Sequence, residues 1–242
     1  MGSSTCLSRD TPVLETRIGL AVFVAVSSYT IGFVGSRWRV TRRATHRTER
    51  TTMGVRTGQY RMARVPYVDP NDLDSEYRDL VVSSLQPGET LNVYRAIANN
   101  PDVLDGFRAF LGVLWNRSGL TDRQREIVIL TTAAETGSSY EWHQHVGIAA
   151  DAGLDQTEIG AIARDDRRPF PVEEQALLSY TRAVIRGRVT DPLHEAAAER
   201  FDEQTLVAIG ATAAGYLALA RVIDALDVDI EAGEAFVGWD PV

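Results

Sequence analysis

The stretch from Thr121 to Gly153, TDRQREIVILTTAAETGSSYEWHQHVGIAADAG, leaves the chain little choice of local structure. Ile127, Val128, Leu130, Thr131 and Ala134 recur at helical spacing, and Thr121 with Gln124 three residues on forms a capping box ahead of them. This pattern predicts a helix from about Asp122 to Thr136. Gly137 supplies a left-handed stop, and Ser138 with Glu141 three places later repeats the S-x-x-E signature, which predicts a second helix with Glu141 as a capping carboxylate. Two helices joined by so short a hinge must fold back closely. Glu126 on the first is then expected near Glu141 and His145 on the second, which stand four residues apart on one face.

The flanking sequence reads as helices too. Val93 to Asn99 has helical character, Asn100-Pro101 breaks it, and Phe107, Phe110, Leu111, Leu114 and Trp115 make an amphipathic stripe that reads as core. A helix is expected around residues 74–84, and the Asp69, Asp72 and Asp74 cluster ahead of it fails calcium-loop spacing because Leu73 stands where a ligand is wanted. Asp155 with Glu158 opens a short helix, Val172 to Arg186 another, and Thr190-Asp191-Pro192 starts a further one. A long apolar helix follows from Asp202 to Leu226. Leu206, Ile209, Ala213, Leu217 and Ala220 are expected to pack inward, with Arg221 beside them. Phe236 and Trp239 anchor the acidic tail. No strand pattern separates these elements, so the predicted fold class is all-α.

Composition removes several chemistries. All 25 basic residues of the 242 are Arg, which excludes a Schiff-base lysine, a lysine-held pyridoxal cofactor and a phosphate-loop lysine. Cys6 is the only cysteine, so residues 7–242 hold no disulfide, thiolate metal site or thiol nucleophile. His143 and His145, two apart, point away from each other by about 200° on a helix, against a shared metal. No metal or cofactor is expected. His194, at a polar helix start, reads as exposed.

Charge divides the chain. Residues 1–61 carry ten Arg and three acids, whereas residues 62–242 carry 15 Arg and 30 acids, within a net charge of −8. The domain reading is accordingly a basic extension over 1–61 and a helical domain over 62–242. The acidic, lysine-free body resembles cytoplasmic proteins of high-salt organisms and speaks against a nucleic-acid partner. Within the extension, Ile18 to Val34 is an uncharged run of 17 residues with a basic flank. It admits two main readings: a membrane anchor at the lower limit of length, or a segment outside the working protein, since Met53 and Met62 offer later starts.

The central residues carry a resemblance. R-E-x-x-I-L over Arg125-Glu126 to Leu130, followed by Y-E-W-x-x-H over Tyr140-Glu141-Trp142 to His145, resembles the carboxymuconolactone decarboxylase family, which includes the alkylhydroperoxidase AhpD-like proteins. The resemblance extends weakly over residues 64–242, including the Ala152-Gly153-Leu154 turn. It implies an all-helical fold with an active-site helix hairpin and a homo-oligomer, often a trimer or hexamer. In the peroxidase branch a C-x-x-C pair sits between the Glu and the His; here Glu126 and His145 match, and the cysteine places hold Ser138 and Glu141. The decarboxylase branch acts without metal or organic cofactor on a lactone bearing a carboxylate.

Two classes of function follow. In the first, a cofactor-independent decarboxylase-like enzyme, His145 moves a proton, Glu126 orients it, Glu141 is a further catalytic carboxylate, Tyr140 and Trp142 wall the pocket, and Arg221 or Arg125 holds a substrate carboxylate. In the second, a non-catalytic helical oligomer binds a small molecule. An AhpD-like peroxidase is disfavoured by the missing cysteine pair.

Overall fold

The computed structural model describes residues 63–83 and 88–239 in full, together with the backbone of residues 24–26, 29–34 and 37–42. The chain divides into two compact units, 1–58 and 59–242. In the first, β1 (Val24–Val26), β2 (Tyr29–Val34) and β3 (Arg37–Arg42) pair antiparallel in that order, with Val24 opposite Ile31 and Val34 opposite Arg37. The described part of the apolar run is therefore extended. Its Val, Ile, Tyr and Phe content suits a pleated backbone. Residues 18–23, Cys6, Met53 and Met62 lie outside the described residues.

The second unit is all-α. Its helices are α1 (Asn92–Ile97), α2 (Pro101–Arg117), α3 (Asp122–Thr136), α4 (Ser139–Asp151), α5 (Gln156–Ala163), α6 (Val172–Ile185), α7 (Asp191–Ala198) and α8 (Glu203–Leu226). The expected helix over 74–84 reduces to a 3-10 turn, Arg78–Val81, whose N-cap Tyr77 accepts no capping bond; its end pairs Val82 with Thr90 in an isolated bridge.

Helix α3 is the axis of the body. Ile127, Val128, Ile129 and Leu130 are consecutive and fully buried, which occurs only where neighbours cover a helix on every side. Helices α4, α5, α6 and α8 supply that cover. Ile127, Val128 and Leu130 join one apolar cluster with Trp142, Leu177 and Ile209, while Ile129 joins another with Leu111, Tyr140 and Tyr216. At its start the capping box holds, with Thr121 Oγ1 accepting from Gln124 N–H and Gln124 Oε1 from Thr121 N–H. Next to it, Arg123 donates to Glu158 at 2.6 Å, Glu174 at 2.7 Å and the Gly153 carbonyl at 2.6 Å, tying α3 to the starts of α5 and α6. At its end Gly137, with φ of 70°, reverses the chain into α4.

Helix α8 packs through Leu206, Ile209, Ala213, Tyr216, Ala220 and Ile223. Its last turn is met by Arg64, whose guanidinium donates to the Asp224 and Ala225 carbonyls, and Asp227 caps it in the left-handed region. Beyond Asp227 the tail returns over α4. Trp142 Nε1 donates to the Gly238 carbonyl at 2.8 Å, and Trp239 packs on Trp142 with ring centres 5.2 Å apart. Trp239 is the anchor expected of it; Phe236 is 36% exposed and rests on Trp239.

Candidate functional site

Glu126 is buried within α3, and a lone carboxylate there would be prohibitively desolvated. Two partners offset this. Its Oε2 accepts from His145 Nδ1 at 2.8 Å across the α3–α4 turn, and its Oε1 accepts from Arg125 Nε at 3.1 Å. Arg125, itself 6% exposed, also donates to Asp122 Oδ1 at 2.7 Å and to the Trp115 carbonyl, and its guanidinium carbon lies 3.8 Å from the Trp115 ring centre. Since a carboxylate can only accept, Nδ1 donates to Glu126, and Nε2 is the ring nitrogen turned away from it. Trp115 and Tyr216 hold the ring from two sides, with centres 5.8 and 5.4 Å away.

The imidazole lines a cavity of about 180 Å³. Helix α4 contributes Tyr140, Glu141, Gln144 and His145, at i, i+1, i+4 and i+5 on one helical face. Helix α2 contributes Arg108, Leu111, Gly112, Trp115 and Asn116 at the matching i, i+3, i+4, i+7 and i+8. Tyr94 from α1 and Tyr216 and Leu219 from α8 close it. A cavity of about 150 Å³ holds benzene, so this one accommodates a single ring with few substituents.

Its polar groups are unlike one another. Arg108 stacks on Tyr94, the guanidinium carbon 4.4 Å from the ring centre, and donates to the Val82 carbonyl at 3.3 Å. Among the described residues no carboxylate is paired with it. Glu141 is buried, and neither carboxyl oxygen has a hydrogen-bond partner. Burial pushes its carboxyl up to about 8, opposed weakly by the Ser138 hydroxyl. Burial likewise raises the Tyr216 phenol well above its ordinary value, with Tyr94, Glu126 and Glu141 adding to the effect.

The sequence-predicted residues separate on this geometry. Glu126, His145 and Glu141 come together, and Tyr140 lines the cavity. Glu141 departs from the expected capping role: Ser138 accepts from its backbone N–H at 3.5 Å, but its carboxyl makes no return bond. Trp142 does not wall the pocket. It lies roughly 130° around α4 from the centre of the cavity face, fully buried in the core. Arg125 sits behind the cavity, held by Asp122 and Glu126. Arg221 is exposed, nearly opposite Tyr216, Leu219 and Ile223 on α8, because the buried stripe passes through Tyr216 and not the half-buried Leu217. Arg108 was missed, although a lone cation sharing a helix face with Leu111 and Trp115 is itself a signal. His143 turns to Glu234 Oε2 at 2.8 Å, away from His145, and exposed His194 lies 3.1 Å from the Tyr180 hydroxyl. Among the described residues no three His, Cys, Asp or Glu side chains gather as a metal site.

Comparison with known proteins places the hairpin. Residues 101–183 match the model of the carboxymuconolactone decarboxylase family. No curated protein matches this chain. A solved peroxidase-related protein from Ralstonia eutropha JMP134, with an alkylhydroperoxidase AhpD core, aligns with a TM-score of 0.65 at 21% identity, over 75% of this chain and 98% of that one. The debrominase Bmp8, solved in complex with 2,3,4-tribromopyrrole, aligns with a TM-score of 0.54 at 18% identity, over 60% and 79%. A peroxidase-related protein from Silicibacter sp. TM1040 gives 0.52 at 18%, over 69% and 90%. At these identities the likeness is one of fold, and the helical body has the AhpD-like fold.

Proposed function

We propose that this chain, a carboxymuconolactone decarboxylase/AhpD-like family member by its matched segment and its fold, is a cofactor-independent, decarboxylase-like enzyme acting by proton transfer on a small ring-bearing carboxylate. The observation that carries this reading is the 2.8 Å bond from His145 Nδ1 to buried Glu126, which turns the opposite edge of the imidazole to the cavity. Glu126 fixes the tautomer and stabilises the imidazolium formed when Nε2 takes from solvent the one proton that a decarboxylation consumes. Arg108, free of carboxylate partners among the described residues, holds a carboxylate that the substrate retains. When a second carboxylate leaves as CO2, the electron pair of the broken C–C bond stays on the substrate, conjugated with the lactone carbonyl. That carbon then takes a proton from imidazolium or from Glu141, which burial keeps as a neutral acid at pH 7. A thiol route of the peroxidase kind has no residue to run through, since Ser138 and Glu141 hold the two places and Cys6 is the only cysteine.

His145→Ala is expected to slow turnover of a small lactone or β-keto acid carrying a carboxylate by about 10²–10⁴-fold, the usual contribution of a positioned acid–base group. Unchanged turnover in a folded variant would remove His145 from the reaction and favour the binding-protein reading.

Self-association belongs to this proposal. Val103, Phe110 and Val113 are 45%, 47% and 38% exposed along α2, an apolar stripe that supports the homo-oligomer. Sedimentation is expected to show oligomers whose stability depends on salt, and monomers at every ionic strength would refute it.

A further inference from the structure

The tail that returns over α4 does more than cover Trp142. Glu231 reaches three groups at once. Its Oε1 accepts from the Tyr140 hydroxyl at 2.6 Å and from Asn92 N–H at 2.9 Å, and its Oε2 accepts from Gln144 Nε2 at 2.6 Å. The arrangement is braced by Asn92 Nδ2 donating to the Asp229 carbonyl and by Tyr67, whose hydroxyl accepts from Asp229 N–H. Tyr140 and Gln144 both line the cavity.

A carboxylate can only accept, so it dictates the orientation of whatever it binds. The Tyr140 proton is committed to Glu231, and the phenolic oxygen already accepts from Val93 N–H at 3.3 Å, so Tyr140 has no donor left for a ligand. Gln144 must direct its amide nitrogen at Glu231 through one of its two N–H groups, which fixes the edge that the amide presents and leaves its carbonyl oxygen as an acceptor with no donor on it among the described residues. Neither atom pair could be read from α4 alone, because an isolated glutamine amide is free to turn either edge.

We propose that Glu231 is a positioning residue that sets the hydrogen-bonding polarity of the cavity wall, making Gln144 an acceptor and thereby selecting ligands that carry a hydroxyl donor in addition to the carboxylate. This rests on the Arg108 anchor of the proposed function. Glu231→Gln removes the constraint. An amide at residue 231 that still accepts from Tyr140 and Asn92 turns its NH2 toward Gln144, whose amide must then flip and offer N–H to the cavity.

The test uses benzoate and its ring-hydroxylated and ring-methoxylated derivatives as probes, titrated calorimetrically into the full chain. At least one hydroxybenzoate is expected to bind tenfold or more tightly than its methoxy counterpart. In Glu231→Gln, and in Gln144→Met where Glu231 is untouched, that ratio should fall to within about threefold of unity. Benzoate itself should bind folded Glu231→Gln, whose substitution lies outside the cavity lining, as it binds the native chain. A ratio near unity in the native chain, or a tenfold ratio surviving in Glu231→Gln, overturns the proposal while leaving the anchor intact. Absence of binding by any probe, or binding indifferent to Arg108→Gln, overturns the anchor and the proposal together.

Discussion

Glu126→Ala is expected to cost about 3–5 kcal/mol of folding stability, the range for removing one partner from a buried charge pair. The carboxylate is fully buried and is, among the described residues, the only group accepting from His145 Nδ1, while Arg125 would keep as its one carboxylate partner Asp122, which is largely exposed, beside the Trp115 carbonyl and ring. The substitution also leaves a cavity beside Ile127 and Ile129 at the centre of the body. Glu126→Gln keeps the volume and one acceptor, so its cost should be about 1–3 kcal/mol, that of a misplaced buried hydrogen bond. Urea unfolding of the three proteins measures both. A loss below about 1 kcal/mol in the alanine variant would mean that Arg125 and His145 find water or other partners, and that the site is looser than its distances indicate.

Glu141 predicts a stability that changes with pH. Its folded value, about 8, lies above its ordinary 4.5, so between them the native protein holds a proton that the unfolded chain has released. Stability from this group is full below about pH 4.5, declines as pH rises, and is lost by about pH 8; at about 1.4 kcal/mol per unit the total is about 5 kcal/mol. Glu141→Gln cannot titrate. The two proteins should therefore differ little near pH 4, and the variant should be the more stable by several kcal/mol at pH 9. Parallel stability curves from pH 4 to 9 would show that the carboxyl is solvated or ion-paired in solution. An acid step carried by Glu141 should fade over the same upper range, as pH rises through about 8.

The hairpin was legible in the sequence because its signals are local. The Thr121–Gln124 box, the Gly137 stop and the separation of Glu126 from His145 lie within one turn-connected unit, and a short helix hairpin has few backbone arrangements to choose from. Fold class followed from helical spacing along the rest. The cavity was less legible because most of its wall comes from elsewhere: Arg108 and Trp115 from α2, Tyr94 from α1, Tyr216 from α8. Their convergence depends on how helices cross, which periodicity does not specify. Arg221 illustrates the failure. Starting the α8 stripe at Leu217 instead of Tyr216 rotates the expected inward face by one residue, enough to carry an exposed arginine into the core on paper. The cap reading of Glu141 failed for a different reason, since S-x-x-E fits both a cap and a carboxyl directed elsewhere, and only the absence of the return bond separates them.

The clamp made by Glu231 has a consequence for the order in which the site comes into being. Glu126 and His145 leave the ribosome 19 positions apart and can pair as soon as the hairpin closes. Gln144 waits for a residue 87 positions later. At the usual pace of synthesis, roughly 5–20 residues per second, that interval is roughly 4–17 s, during which a nascent chain can hold the Glu126–His145 pair while Gln144 is still unoriented. The cavity wall is thus set only after the hairpin has closed: His145 can pair with Glu126 well before Glu231 exists to orient Gln144.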